Sequence, residues 1–279
     1  MQNIRDFIKN ELSHIYSQGE ISTLTQLILE VKLNISVIES LTYKHNDLSD
    51  AQLNIINEII ERLKSKEPIQ YILGESQFFE LNFMVNEHVL IPRPETEELI
   101  EWIIEDANEK RINLLDIGTG SGCIAISLAN RLPLAKVYGW DISPDALKVA
   151  KTNAIGNKVE VEFEINDILN TNSTDKSFDV IVSNPPYITD SEKELMHSTV
   201  LDFEPHIALF VPDSSPLIFY EKIADFALNS LTDNGSLYFE INQENALKTS
   251  SMLSNKGFID IEIRRDLSGN DRMIKAKKA

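Results

Sequence analysis

The sequence predicts an α/β protein in which a doubly wound, mostly parallel sheet follows a small all-helical domain. Two observations support this fold class. From residue 94 to residue 279, short apolar segments of strand length alternate with longer amphipathic segments, which is typical of a sheet with helices on both faces. Residues 1–75 contain only segments with helical periodicity. We therefore expect a helical domain at 1–75, a linker at 76–93 and a second domain at 94–279.

The first domain is predicted to be a bundle of helices. Apolar side chains recur there every three or four residues, which places them on one face of each helix. The four stripes begin at Ile4, Leu24, Val37 and Leu53. Ser49 followed by Gln52 is a capping-box signal before the last stripe. The segment has no cluster of catalytic residue types, so these stripes indicate a packed core.

Residues 76–93 are predicted to form a β-hairpin that joins the two domains. Apolar and polar residues alternate from Phe79 to Val85, as in a half-buried strand. Asn86 and Glu87 would form the turn, and 89–91 the second strand. A helix is expected from Thr96 onward.

Seven strands are predicted in the second domain. They are residues 113–117, 136–140, 159–164, 178–183, 236–240, 258–264 and 272–276. Ligands of such sheets bind beyond the carboxyl ends of the strands. The residues that follow the first four strands are therefore candidate site residues.

A glycine-rich turn follows the first strand. Glycine allows positive φ angles and a close approach of the backbone to a ligand. The turn does not match the dinucleotide fingerprint, since Cys123 stands where its last glycine is expected. We predict that the turn binds a cofactor through Gly118, Thr119, Gly120, Ser121 and Gly122.

Acidic residues follow the second and third strands. Asp141 comes roughly 20 residues after the glycine turn, a spacing that suits an acceptor for a ribose diol. Asp167 is a candidate acceptor for an adenine amino group, and Ile168 is a candidate to pack on the ring. These positions predict a nucleoside-containing cofactor.

The fourth strand ends in Asn184, Pro185, Pro186 and Tyr187. The prolines remove two N–H donors and keep the chain extended. The Asn184 side chain and the Pro185 carbonyl then remain as acceptors, and Tyr187 offers an aromatic surface. Such an arrangement can accept both hydrogens of a planar NH2 group. We interpret these four residues as a catalytic and substrate-binding motif, with Asn184 also beside the cofactor.

Taken together, the DIGTGSG turn, the WD at 140–141, the ND at 166–167 and the NPPY resemble class I S-adenosylmethionine-dependent methyltransferases. More narrowly, the chain resembles the release factor glutamine methyltransferases of the HemK/PrmC type. The stretches that carry this resemblance are PIQYILGE, FFELNF, LIPRPETEELI, FEPHIAL and DLSGNDRMI. The chain departs from the family pattern at 210–216, where a glycine-rich turn is usual, so the geometry of that loop is not predicted.

The resemblance implies a Rossmann-like fold, S-adenosyl-L-methionine as cofactor and methylation of a glutamine in the Gly-Gly-Gln loop of peptide chain release factors. It also implies that the helical domain recognises the protein substrate. Two alternatives remain open at this stage. One is methylation of an adenine amino group in DNA or RNA, which uses the same motif on a flipped base. The other is a cofactor-binding module without catalysis, which would not need the NPPY.

Composition bears on partners and location. The 279 residues contain 44 acidic and 26 basic side chains, for a net charge of −18, which favours a protein substrate over nucleic acid. One cysteine excludes an internal disulfide, and the five histidines show no metal-ligand spacing, so no metal is expected. We find no signal peptide or apolar run of membrane-spanning length. These features predict a cytoplasmic protein.

Overall fold

The computed structural model describes residues 3–107 and 111–279. The chain divides into two compact units. The first consists of the residues up to Glu75 together with His197–Phe203, and the second of Ser76–Met196 and Glu204–Ala279. Residues 197–203 therefore belong to the helical unit in the structure, although the sequence predicts them in the second domain.

The helices are α1 Ile4–Leu12, α2 Gln18–Leu33, α3 Val37–Ser40, α4 Asp50–Lys64, α5 Ile69–Leu73, α6 Pro94–Ala107, α7 Cys123–Arg131, α8 Pro144–Gly156, α9 Ser198–Phe203, α10 Ile218–Ser230 and α11 Ala246–Asn255. The strands are β1 Glu75–Phe78, β2 Leu81–Met84, β3 Asn113–Ile117, β4 Lys136–Asp141, β5 Glu162–Ile165, β6 Phe178–Ser183, β7 Ile188–Thr189, β8 Phe210–Val211, β9 Leu231–Glu240, β10 Phe258–Arg265 and β11 Asp271–Lys278.

The first unit is built from amphipathic helices, and the stripes that begin at Ile4, Leu24 and Leu53 face its core, as predicted. The prediction was wrong for the stripe that begins at Val37, because Val37 and Ile38 in the short helix α3 and Leu41 directly after it are exposed. The predicted capping box of α4 is confirmed, because the Ser49 hydroxyl accepts the Gln52 N–H while the Gln52 side chain accepts the Ser49 N–H. Ser17 and Glu20 cap α2 in the same way. The buried side chains of α1, α2 and α4 form one apolar core in this unit.

A seven-stranded sheet organises the second unit, which confirms the predicted fold class. Its strand order is β10-β11-β9-β6-β3-β4-β5. Neighbouring strands from β9 to β5 are parallel, and β11 is antiparallel to both of its neighbours. Alternate residues of one strand enter different cores: Leu115 packs on one face of the sheet and Leu114 on the other. The helices on both faces make the sheet doubly wound.

The strand register brings the predicted site residues to one edge. Ile117 pairs with both Trp140 and Ser183, so the glycine turn, Asp141 and Asn184 leave neighbouring strands at the same level. Ser183 also pairs with Phe239, which places Glu240 beside Asn184. From β3 the chain adds β4 and β5 on one side, and β6 then pairs on the other side of β3. The boundary between β3 and β6 is therefore the switch point at which ligands of open α/β sheets bind.

The predicted hairpin exists, but its position was wrong. The two strands are β1 and β2, the turn is at Phe79 and Glu80, and 89–91 form no strand. Both turn residues have positive φ, 50° and 61°, although neither is a glycine or asparagine. The Glu97 carboxylate accepts the Phe79 N–H at 2.7 Å. A contact 18 residues along the chain therefore stabilises a turn that carries no local signal.

Candidate active site

A cavity of about 960 Å³, part of it open to solvent, lies at the carboxyl ends of β3, β4, β5 and β6. All of its lining residues belong to the second unit. The predicted site residues in its wall are Gly118, Gly120, Asp141, Asp167, Ile168, Asn184, Pro185 and Pro186. Thr119, Ser121, Gly122 and Tyr187 do not line it.

Gly118 and Gly120 expose bare backbone to the cavity. Their φ angles are +75° and +54°, a region that favours glycine. A Cβ atom added at Gly118 would meet no protein atom within 4 Å, and one at Gly120 would meet only the Gly118 oxygen, at 4.0 Å. The open space beside the backbone can therefore admit a ligand that a side chain would displace.

The other residues of the turn hold its shape. A Cβ atom at Gly122 would lie 2.8 Å from Ile126 Cδ1, so this glycine allows close packing at the start of α7. The buried Thr119 hydroxyl donates to Asp116 Oδ2 at 2.6 Å. Burial raises the pKa of Asp116 to about 7, and the Thr119 hydrogen bond partly offsets that effect.

Asp141 is fixed by one backbone donor from the glycine turn and one from the segment that follows β4. Its Oδ2 accepts the Gly120 N–H at 2.8 Å and its Oδ1 accepts the Ser143 N–H at 2.9 Å. Burial raises the pKa of the Asp141 carboxyl, and these backbone donors oppose the rise. Each carboxylate oxygen has a second lone pair, so the fixed carboxylate can still accept hydroxyl hydrogens.

Asp167 and Ile168 form the wall after β5. The Asp167 carboxylate accepts the Leu169 N–H at 3.0 Å and the Asn170 side-chain amide at 2.6 Å. Ile168 is buried and presents an apolar surface to the cavity. This wall combines a fixed acceptor with a surface suited to a flat ring.

Asn184 and Pro185 provide two acceptors in the cavity wall. Asn184 Nδ2 donates to Thr96 Oγ1 at 3.4 Å. Among residues 3–107 and 111–279, Asn184 Oδ1 and the Pro185 carbonyl have no hydrogen-bond donor. Both oxygens therefore remain available to the two hydrogens of a primary amide.

Tyr187 lies behind this wall. Its ring packs against the core of the sheet and its hydroxyl donates to Glu240 Oε1 at 3.3 Å. Burial, together with the nearby Glu240 carboxylate, raises the pKa of the Tyr187 phenol above its ordinary range. The tyrosine is therefore a neutral hydrogen-bond donor to Glu240.

Thr96 and Glu240 are site residues that the sequence analysis missed. Glu240 is 2% exposed, and its Oε2 accepts the Thr96 hydroxyl at 2.6 Å. Burial raises the pKa of Glu240, while the Thr96 hydrogen bond and the Arg272 charge lower it. Glu240 ends β9, so the rule that identified Asp141 at the end of β4 also applied to it. No sequence signal pairs it with Thr96, 144 residues away.

Two of the stretches that carry the family resemblance meet beside the site. Arg93, between two prolines before α6, pairs with Glu204 at 2.6 Å. Across the described ranges, no three His, Cys, Asp or Glu side chains are arranged to hold a metal ion. No helix in those ranges has both the length and the apolar character needed to cross a membrane.

The fold is shared with known methyltransferases. The chain is similar to a methyltransferase from Pyrococcus furiosus, with a TM-score of 0.54 at 14% identity over 83% of this chain and 100% of that chain. It is also similar to the 16S rRNA N2 G1207 methyltransferase of Thermus thermophilus, solved with AdoMet and guanosine. That TM-score is 0.53 at 16% identity, over 74% of this chain and 50% of that chain. At these identities the likeness shows the fold alone.

Sequence comparison is more specific. Residues 96–202 match the family described as Methyltransferase small domain, and residues 5–74 match the PrmC N-terminal domain. The chain is 45% identical to a release factor glutamine methyltransferase of Flavobacterium psychrophilum, over 99% of this chain and 98% of that protein. It is 42% identical to the protein of that name from Bacteroides thetaiotaomicron, over the full length of both.

The methyltransferase domain and the similarity to release factor glutamine methyltransferases indicate S-adenosylmethionine as the cofactor. The bare glycine backbone and the fixed Asp141 and Asp167 carboxylates fit such a molecule. From these full-length similarities we conclude that the chain belongs to the family of release factor glutamine methyltransferases, which are S-adenosylmethionine-dependent protein glutamine methyltransferases.

Proposed function

We propose that this enzyme methylates the side-chain amide nitrogen of the glutamine in the Gly-Gly-Gln loop of peptide chain release factors. The observation that carries the proposal is a pair of acceptors in the cavity wall, Asn184 Oδ1 and the Pro185 carbonyl, to which no described residue donates a hydrogen bond. A primary amide has two hydrogens in one plane, and two acceptors can hold that plane fixed. A glutamate carboxylate has no hydrogens to donate and would leave both acceptors unpaired.

We assign the cofactor to the other half of the cavity. Gly118 and Gly120 would admit its amino-acid part, Asp141 would accept its ribose hydroxyls, and the Asp167–Ile168 wall would hold its adenine. Thr119, Ser121 and Gly122 would support the turn from behind, and Asn184 would contact the cofactor from the substrate side. The bound cofactor supplies an electrophilic methyl group on a sulfonium.

The protein's contribution to the reaction is positioning and electrostatics. An amide nitrogen is a weak nucleophile because its lone pair is delocalised into the carbonyl. Acceptors that hold its hydrogens become stronger partners as positive charge develops on nitrogen during attack. Pro186 would close the wall beside them, and Tyr187 would support the motif through Glu240. After methyl transfer the nitrogen carries a positive charge and loses one hydrogen to water as a proton, so this scheme needs no strong base at the nitrogen.

The first unit is proposed as the part that recognises the release factor, with 76–93 as the linker and 94–279 as the methyltransferase domain. Among the described residues of this unit, the most exposed large apolar side chains are Ile38 at 79% and Leu41 at 64%. Exposed apolar side chains are common at protein-binding surfaces. The net charge of −18 also favours a protein over nucleic acid as partner. Release factors act in the cytoplasm, so we place the enzyme there.

A methyl-transfer assay with labelled S-adenosylmethionine tests the proposal. The acceptors would be a release factor, the same factor with its loop Gln replaced by Glu, and duplex DNA. We expect label only on the intact factor, at the loop glutamine by peptide mass spectrometry. Label on the substituted factor would contradict the assigned glutamine, and label on DNA would support the adenine alternative.

A further inference from the structure

A chain of hydrogen bonds runs from a buried carboxylate to the Asn184 amide. Glu240 Oε2 accepts the Thr96 hydroxyl at 2.6 Å, and Thr96 Oγ1 accepts Asn184 Nδ2 at 3.4 Å. Thr96 and Glu240 are each 2% exposed, so water does not compete for these bonds. Neither residue lines the cavity.

The hydrogens in this hydrogen-bond chain can be counted. The Thr96 hydroxyl has one hydrogen, and that hydrogen points at Glu240 Oε2, to which the hydroxyl donates. The side of Thr96 Oγ1 that faces Asn184 then carries only lone pairs. Asn184 must meet it with its NH2 group, because its carbonyl oxygen would be repelled there. The amide oxygen is consequently turned away from Thr96.

Glu240 is connected to the motif a second time. Its Oε1 accepts the Tyr187 hydroxyl at 3.3 Å, so one carboxylate is bonded to Tyr187 directly and to Asn184 through Thr96. The Tyr220 hydroxyl donates to the Glu240 backbone carbonyl at 3.2 Å and fixes the end of β9. The buried Glu240 carboxylate therefore fixes both ends of the Asn184–Tyr187 motif.

We propose that Thr96 and Glu240 are positioning residues that set the orientation of the Asn184 amide, so that its oxygen and not its nitrogen is offered to the substrate. This inference rests on the proposed function, in which Asn184 Oδ1 accepts a substrate hydrogen. If the amide were flipped, Asn184 would present a donor to a donor, and the substrate amide would lose one of its two contacts.

The test uses Thr96→Val, which keeps the shape of the side chain and removes the hydroxyl, and Thr96→Ser, which restores it. We expect Thr96→Val to lower kcat about tenfold, because the loss of one buried hydrogen bond has a free-energy cost that corresponds to a rate change of about this size. The KM for S-adenosylmethionine should change little, and Thr96→Ser should return kcat to within a few-fold of wild type. Thr249→Val removes another fully buried hydroxyl in the same unit and should leave kcat unchanged.

The decisive measurement is a double-mutant cycle with Asn184→Asp. A carboxylate offers an acceptor oxygen in either orientation, so Thr96 has nothing left to orient. In that background Thr96→Val should change kcat by less than about twofold. Equal losses in both backgrounds, or an unaffected Thr96→Val enzyme, would overturn the inference.

If Thr96→Val does not fold, Glu240→Gln takes its place in the cycle. Its amide NH2 can donate to Thr96, which frees the Thr96 hydroxyl to donate to Asn184 and flips that amide. We expect Glu240→Gln to lower kcat about tenfold in the wild-type background and to change kcat by less than about twofold in the Asn184→Asp background. Wild-type enzyme that does not methylate a release factor would refute the proposed function, whereas an active wild type with no coupling in the cycle would refute only this inference.

Discussion

The Arg93 guanidinium lies 2.6 Å from a carboxylate oxygen of Glu204, whose side chain is 2% exposed. Arg93 is held between two prolines, and Glu204 precedes the segment that contributes Ile207 and Ala208 to the cavity wall. The second carboxylate oxygen of Glu204 is buried without a hydrogen bond to any described residue. The pair therefore links two segments around the site and depends on Arg93 for its charge balance.

We expect Arg93→Met to lower the free energy of unfolding by about 2 kcal/mol. Removing one partner of a fully buried pair costs about 3–5 kcal/mol, but Arg93 is 34% exposed and water would compensate in part. Urea denaturation measures the change. Arg131→Met breaks an exposed pair with Glu80 and should have little effect. If Arg93→Met were as stable as Arg131→Met, the Glu204 charge would not depend on this contact.

The sheet and much of the site could be predicted from the sequence because the relevant signals are local. A strand, its turn and the polar residue after it are adjacent in the chain, so Asp141, Asp167 and Asn184 were identified by position alone. Parallel strands then bring such residues to one edge without further information. The glycine turn was recognised for the same reason.

What the sequence did not reveal depends on contacts between distant residues. Thr96 reads as a helix start, and only its bond to Glu240 gives it a place in the site. The hairpin turn at Phe79 has no glycine, and Glu97 stabilises it from the next helix. Residues 197–203 look like part of the second domain, although they belong to the first unit in the structure. Packing, and not propensity, decides each case.

Asp141→Ala should weaken binding of S-adenosylmethionine by about 1.5–3 kcal/mol, the range for losing a hydrogen bond to a charged group. Isothermal titration calorimetry on the folded variant measures the loss. Asp145→Ala is a matched control, since the Asp145 side chain in α8 is 50% exposed and does not line the cavity. Wild-type affinity in Asp141→Ala would show that the carboxylate does not hold the ribose.

Asn184→Ala should lower turnover on a release factor by about 10²–10³, the effect of removing one preorganised contact that strengthens in the transition state. Asn184→Asp keeps an acceptor oxygen and should retain more activity than the alanine variant. Single-turnover rates at saturating cofactor separate these effects from cofactor binding. An Asn184→Ala enzyme within a few-fold of wild type would rule out the hydrogen-bonding role of the motif.

Replacing both Ile38 and Leu41 by Asp should raise the KM for an intact release factor and leave S-adenosylmethionine affinity unchanged. Both side chains are exposed, so the substitutions remove no core packing. Ile155→Asp introduces a charge at an equally exposed apolar position of the second unit and serves as control. An unchanged KM for the release factor would show that this surface of the first unit does not contact the substrate.

The buried Glu240 should reduce stability at neutral pH although activity depends on it. Burial raises the pKa of its carboxyl above the ordinary glutamate value, despite the opposing Thr96 bond and Arg272 charge. The nearby Glu95 charge raises this pKa further, whereas Tyr187 acts on Glu240 only as a neutral hydrogen-bond donor. In the folded protein the proton is therefore held more tightly than in the unfolded chain.

The sign of the pH dependence follows from that difference. The folded state binds more protons than the unfolded state between the ordinary glutamate pKa, about 4.3, and the raised value, so stability falls as pH rises through this window. Glu240→Gln does not titrate and should lack this fall. We expect the variant to gain stability relative to wild type as pH increases from 4 to 8, while its turnover is lower than wild type at pH 8.

Urea denaturation at several pH values measures the stability difference, and methyl-transfer rates at pH 8 measure the activity. Glu160→Gln changes an exposed glutamate and should follow the wild-type curve. A Glu240→Gln protein whose stability parallels wild type at every pH would show that the Glu240 carboxyl titrates alike in both states. The Thr96 bond and the Arg272 charge would then fully compensate the burial of this carboxylate.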